Sequence, residues 1–463
     1  MRTNFIRKKA SLLEKTKTYF KMKKINLILI SFLFLGQSFS QELLTLNKAI
    51  ELTLEKNYDI IISKNTEQIA KNNSGVLNTG FLPTLSTSAG GNYSIKDNSV
   101  GLTNGNIVEL KEVNAVSYNT NLTLNYTLFD GLGRLNSLKK FKEQYNLSQL
   151  QTEFVIENTL FQVLNQYYTV AQQYQTIENL KESMRISTQR LTKAQYSFEY
   201  GQTTNLDVLN AEVDFNNDSI NLLRSLVQLD NAKRNLNLLM GVNIDFDYMA
   251  ETDIIFNADL NLENLLATAK ENNTTLSQYE KNILLNQFDI KIARANWLPK
   301  LNVSGSYGFN NVNNDSNSGF NSPVAVNYSN SYGPSAALSL SWNLFDGGKT
   351  QTNIQNAKIN LENKETSLEN QKLILERDIQ VAWYSYKNAL EIIAIQTQNL
   401  ETNKTNFIRT DEKYKIGQVN SIFFRQAQVN LLNAENQLNI AKYNAKVSEL
   451  NLVRLSGKLL EEF

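Results

Sequence analysis

The residues of this chain best suited by type to act on a solute are polar side chains set at turns. In the stretch SFEYGQTTNLDVLNAE, residues 197–212, Asp207 follows Gly201 by six positions and Asn210 follows it by nine. A second stretch, KYKIGQVNSIFFRQAQ at 413–428, opens the same way: Tyr414 answers Phe198, and Gly417 answers Gly201. It then puts Phe423 and Gln426 where the first stretch has Asp207 and Asn210. A carboxylate in the first turn of a helix can attract cations, repel anions or cap its own backbone. Bond-making chemistry needs more. The chain has no His and no Cys, so the usual general base, the commonest metal ligand and every thiolate site are missing. No nucleophile–base pair or metal-ligand cluster can be assembled, and no cofactor is expected. The composition argues against an enzyme.

The two turns belong to a longer repetition. Gly201 and Gly417 are 216 residues apart, and the same offset relates FLP at 81–83 to WLP at 297–299 and LFDG at 128–131 to LFDG at 344–347. It also relates Gly241 to Gly457, and TLNKAIEL near Leu46 to NLENLLAT near Leu262. One constant offset across these landmarks implies a duplicated unit. We assign residues 41–245 to the first repeat and 246–463 to the second.

Each repeat must position its turn with the same elements. Helical patterns run from about 45 to 79 and from 261 to 296, and a Pro ends each region. Period-two alternation follows: Leu122, Leu124, Tyr126 and Leu128 share one face against Asn121, Thr123, Asn125 and Thr127 on the other. In the second repeat Leu301, Val303, Gly305, Tyr307 and Phe309 lead, and Leu338, Leu340, Trp342 and Leu344 return. These are strands with one apolar and one small polar face. Polar stretches near 96–114 and 310–333 read as exposed loops between paired strands. After LFDG the pattern turns helical, and residues 132–198 hold no Pro and a single Gly, Gly133, enough for roughly 100 Å of helix. From Phe424 to Leu455 apolar and small residues recur in alternating steps of three and four. The equivalent positions in the first repeat run from Val208 through Ala211, Phe215, Asp218 and Leu222 to Leu239. This period predicts left-handed coiled-coil seams.

The N-terminal segment has another character. Lys23 and Lys24, an apolar run from Ile25, and small residues ending at Ser40 form a secretory signal over residues 1–40, with Met22 as an alternative start. The rival reading, a membrane anchor, needs a longer apolar run. Without residues 1–40 the chain carries 37 basic and 44 acidic residues, a balance of −7, which argues against nucleic acid as a partner. An exported chain with four amphipathic strands cannot close a barrel by itself, and open sheet edges are not tolerated in lipid. Strands contributed by several chains would resolve this.

Taken together, the paired repeats, FLP and WLP, the doubled LFDG and the doubled aromatic-x-x-Gly turn resemble the TolC-like family of outer-membrane efflux proteins. The resemblance covers nearly all of the chain after residue 40. It implies a mixed α and β membrane protein in the outer membrane. Three subunits would give four strands each to a twelve-stranded β-barrel, continuous with a long coiled-coil barrel in the periplasm. It implies porin-like transport by a passive exit duct for small molecules, served by a periplasmic adaptor and an inner-membrane pump. Segments near 242–260 and 457–463 would form an equatorial belt. The same duct could serve a type I protein secretion system. A periplasmic coiled-coil tether is the alternative of another class.

The resemblance also places the two turns at the periplasmic tips. Gly201 and Gly417 suit left-handed positions after the long helices, and Thr204 and Asn420 suit the caps of the next. Asp207 is then either a capping carboxylate or one member of a ring of three that gates the mouth. Family members carry their paired acids mainly in the second repeat, where this chain has Phe423 and Gln426. We expect Phe423 to pack between helices, with an apolar constriction as the alternative. Phe198 and Tyr414 are either seam aromatics or contacts that hold helices together. Arg425 is expected to pair with Asp207. Asp130 and Asp346 are expected as helix caps, and Trp297, Trp342 and Tyr126 in interfacial aromatic belts.

Overall fold

A computed structural model describes residues 42–101, 103, 105–257, 260–316 and 328–462. The expected signal segment lies outside the described residues, as does the middle of the second polar stretch, 317–327. The order of elements repeats as the landmarks require. The first half runs β1 (Glu42–Leu44), α1 (Leu46–Lys56), α2 (Tyr58–Asn73), β2 (Thr84–Gly101), β3 (Ile107–Phe129), α3 (Gly133–Glu199) and α4 (Asn205–Met240). The second runs β4 (Tyr248–Ala250), α5 (Leu262–Asn272), α6 (Thr274–Ala295), β5 (Lys300–Ser316), β6 (Tyr328–Ser341), α7 (Lys349–Lys415) and α8 (Ser421–Leu455).

The expected helices at 45–79 and 261–296 are each broken in two, at Asn57 and Asn273, for one physical reason. Each Asn is extended and caps the helix that follows: Asn57 accepts from the backbone of Asp59 at 2.9 Å and Asn273 from that of Leu276 at 3.1 Å. Each amide also donates across to the end of another helix, Asn57 to Leu239 O at 2.7 Å and Asn273 to Leu455 O at 3.1 Å. Beside these clamps Gly241 and Gly457 adopt φ of +69° and +74°. A Cβ there would strike the carbonyls of Lys56 and Asn272, respectively. The repeated glycines are therefore where two backbones meet, which the spacing alone did not reveal.

α3 and α7 are 67 residues each. Their partners α4 and α8 return antiparallel, so each repeat makes one long hairpin. Near mid-length, β1 pairs in parallel with β4, and the main core gathers there. Tyr167 donates to Leu44 O at 2.9 Å and accepts from the backbone of Glu251 at 3.1 Å. Around it lie buried Tyr168, Tyr248, Leu236, Met240 and Leu450. This three-residue pairing was not anticipated, because such short strands have no readable period.

The four long strands form one antiparallel sheet in the order β2-β3-β5-β6. They run further than expected: 96–101, 107–114, 310–316 and 328–333 are strand, not loop. Their polar composition suggests loops, yet a ladder closes wherever a neighbouring strand is in register. Across the sheet, one face reads Leu85–Leu124–Gly305–Ala336, then Thr87–Leu122–Tyr307–Pro334, then Ala89–Thr120–Phe309–Tyr332. The other reads Ser86–Thr123–Ser306–Ser335, then Ser88–Asn121–Gly308–Gly333. Among the described residues, β2 and β6 end the sheet with unpaired edges.

Candidate functional site at the hairpin tips

Both tips are built alike. The last turns of α3 and α7 close with a Schellman pair of bonds. Gly201 N–H reaches Phe198 O at 2.9 Å and Gln202 N–H reaches Ser197 O at 2.7 Å. Gly417 N–H reaches Tyr414 O at 3.2 Å and Gln418 N–H reaches Lys413 O at 2.8 Å. Gly201 and Gly417 are left-handed, with φ of +70° and +79°. Thr204 and Asn420 then cap α4 and α8. The shared spacing of aromatic, Gly and cap is thus a helix stop followed by a helix start.

Asp207 closes the capping box of α4. Its Oδ2 accepts from Thr203 Oγ1 at 2.5 Å, Thr204 Oγ1 at 2.9 Å and the Thr204 backbone at 3.3 Å. The Thr203 hydroxyl, then the Thr204 hydroxyl and backbone, hold its carboxyl below the ordinary carboxylate range. It remains near the surface with Asn210 exposed one turn on. In the other tip, Gln426 is exposed and donates to Asn430 Oδ1 at 2.8 Å.

Phe423 does not pack against the described residues. It is 65% exposed, whereas Phe424 is 4% exposed and fills the seam. Helical geometry lets only one of two consecutive residues face the hairpin partner. Phe424 lies against Tyr414, ring centroids 4.7 Å apart, and Phe407 at 5.6 Å. Lys193 of α3 sits 4.4 Å over the Tyr414 ring. Tyr414 is therefore a contact between hairpins, while Phe198 is largely exposed.

Arg425 does not meet Asp207. It forms a two-pronged ion pair with Asp218, at 2.6 and 2.7 Å, and lies 3.5 Å from Asp214. Arg190 of α3 pairs with Asp214 in turn. Ser183 and Ser187 donate to Asp218, and Gln428 donates to Ser183 O at 2.8 Å. Asp218 is 2% exposed. Burial by itself would raise its pKa; Arg425, then Ser187, outweigh burial and hold the carboxyl below its ordinary value. Sequence reasoning missed this cluster, although the signal was present: an Asp in a coiled-coil seam needs a buried partner.

The cross-hairpin contacts explain why Asp207 is out of reach. Ser183 lies 18 positions from Gly201, while its partner Gln428 lies 11 from Gly417. Asp218 and Arg425 are 17 and eight positions from their glycines, Lys193 and Tyr414 eight and three, and Asn179 and Asn436 22 and 19. The first tip therefore projects beyond the second by roughly 5–14 Å, at 1.5 Å per residue. Asp207 and Phe423, equivalent in sequence, stand at different levels.

Asp130 and Asp346 lie ahead of the caps themselves, which are Leu132 and Gly348. Each still accepts from its helix, Asp130 from the backbone of Arg134 at 2.7 Å and Asp346 from that of Thr350 at 2.8 Å. Trp342 Nε1 donates to Trp297 O at 3.0 Å at the helix end of the sheet. Tyr126 faces the Arg134 guanidinium at 5.9 Å.

The profile of the family described as Outer membrane efflux protein matches residues 49–242 and 265–458. Outer membrane protein TolC of Escherichia coli (strain K12) is 21% identical over 363 residues, 76% of this chain and 71% of that protein. The Campylobacter jejuni CmeC outer membrane channel superimposes with a TM-score of 0.73 at 17% identity, over 89% of this chain and 86% of that one. The open state of the Neisseria gonorrhoeae MtrE outer membrane channel gives 0.63 at 16% identity, over 89% of each chain. Sheet, paired hairpins and two matched repeats agree: this chain belongs to the outer membrane efflux protein family and is a protein of the outer membrane that reaches into the periplasm.

Proposed function

We propose that three copies of this chain form a passive exit duct, with a twelve-stranded barrel in the outer membrane and a helical tunnel across the periplasm. One observation carries this reading: an open four-stranded sheet with an apolar outer face and two unpaired edges runs directly into helices of 67 residues. Lipid forbids unpaired edges, so further copies must complete the ladder. The helices support the same reading. Besides its buried seam, α4 carries Leu206, Leu209, Val213, Ile220, Leu223 and Val227, all at least 44% exposed in the single chain. Their spacing of three, four and seven fits a second coiled-coil face, for which another copy is the natural partner.

The duct takes small molecules handed over by a periplasmic adaptor and an inner-membrane pump, and the adaptor meets the hairpin tips. Ile416, Ile422 and Phe423 are all exposed there, and the projecting first tip carries Asp207. A solute entering from the periplasm meets a carboxylate level first and an apolar level second. Residues 41–245 and 246–463 supply one strand pair and one hairpin each. Purified protein in planar bilayers tests the reading. Stepwise conductance from a trimer is expected; a monomer that never conducts would sink it.

A further inference from the structure

We infer that the barrel section of this duct is a charge-neutral, hydrogen-bonding sleeve that passes polar solutes of either sign without electrostatic selection. The inference rests on the duct reading proposed above, in which the face opposite the apolar outer one lines the lumen, and concerns what that wall recognises. Strand register carries it. On the face opposite the apolar rows, the sheet reads Thr127–Asn302–Ser339, then Thr84–Asn125–Ser304–Ala337, then Ser86–Thr123–Ser306–Ser335. It continues Ser88–Asn121–Gly308–Gly333, Gly90–Asn119–Asn310–Ser331 and Asn92–Ser117–Val312–Ser329. No position in these rows is ionisable. Hydroxyls, amides, glycines and single Ala and Val residues make up these six rows.

Charge returns at both ends of these rows: Lys300, paired with Ser341, lies on the same face one row before Asn302, and further charges follow where the membrane-facing band ends. The apolar face loses its aliphatic character at the row Gly91–Tyr118–Asn311–Asn330. Just beyond lie Lys96, Asp97, Glu109, Lys111 and Glu112. From Leu301 to Asn311 a strand tilted by about 40° climbs roughly 25 Å, the height of a lipid-facing band. The neutral rows span that height and little more, so charge is absent from the section where lipid lies behind the wall.

Neighbouring polar groups also satisfy one another. Ser306 and Ser335 hydroxyls lie 2.8 Å apart, and Thr127 donates to Asn302 Oδ1 at 2.8 Å. The Asn119 and Asn121 amides lie across Gly90 and Gly308 on adjacent strands, where a Cβ would collide with them. Between Lys300 at one end and Lys96 at the other, such a wall offers donors and acceptors in every row and no fixed charge. Rings of charged side chains are what select ions in a pore, and a fixed charge acts over a Debye length of about 8 Å at physiological salt. Without one, cations, anions and zwitterions exchange water for wall on equal terms.

The test places a charge at the centre of the neutral rows. Ser306→Lys and Ser306→Glu are inserted into planar bilayers under a KCl gradient, with Ser306→Thr as the uncharged control and trimer mass checked for each. The expected result is a shift of reversal potential toward anions for Lys and toward cations for Glu, nearly equal in size about the wild-type value. Ser306→Thr should leave it unchanged. Conducting variants that show no shift, or shifts markedly larger for one sign, would overturn the inference: the first takes the row out of the lumen, the second reveals a wall already charged. A wild-type protein that forms no pore overturns the duct reading itself, and this inference with it.

Discussion

Asp218 and Arg425 show how a charge can sit inside a coiled-coil seam. Two helices of the first hairpin and one of the second converge there, and Arg190, Asp214, Ser183, Ser187 and Gln428 complete the surroundings. The pair's net value for stability is modest, because both ions lose water on burial; removing one ion alone is what costs. Asp218→Asn leaves Arg425 only its longer contact with Asp214 and should destabilise the protein by about 3 kcal/mol, while Asp218→Leu with Arg425→Met should recover most of that loss. Denaturant unfolding of the purified protein measures both. The pH dependence has a definite sign. The Asp218 pKa is lower folded than unfolded, so its contribution is complete above the ordinary value of 3.8 and is lost as pH falls below that, through the folded pKa. The leucine–methionine pair should therefore flatten stability against pH in that acid range.

At the scale of elements, the long hairpins owe their form to two stripes. The inner stripe of α4, with buried Ala211, Asp218, Ser225, Leu229, Ala232 and Leu236, packs within the chain. Small residues there let helices approach closely. The outer stripe, in which Leu223 is 63% exposed, has no partner among the described residues. A charge on it should leave the hairpin intact and weaken association between copies. If three copies assemble as proposed, Leu223→Asp is expected to shift the detergent-solubilised protein from trimer toward monomer, with helix content by circular dichroism unchanged. Light scattering and the CD spectrum read the two quantities separately.

For the whole molecule, the sheet divides labour between its faces. Val303 lies in the apolar row Tyr126–Val303–Leu338. An arginine on a lipid face costs about 2–4 kcal/mol at mid-depth. Val303→Arg should therefore lower the amount of folded protein recovered in the outer-membrane fraction. The adjacent polar row should accept the same substitution at Asn302 with little loss. Quantitative fractionation of the two variants compares the faces directly.

The sequence by itself determined the duplication, the alternation of the strands, the length of the long helix α3 and the chemistry of the turns. Each is a local or periodic property: Gly201 and Gly417 stop a helix whatever surrounds them, and period-two runs such as Leu122 to Leu128 mark a strand. The absence of His and Cys removed imidazole and thiolate groups from the residues available. Tertiary structure alone decided what depends on axial offset and on contacts distant in sequence. Arg425 reaches Asp218 because the hairpins are staggered, and no spacing along one chain records a stagger between two. Polar runs such as 107–114 became strand because a neighbour in register completed their hydrogen bonds. The breaks at Asn57 and Asn273 were visible as residues but not as breaks, since each gains its purpose from a carbonyl 182 positions away.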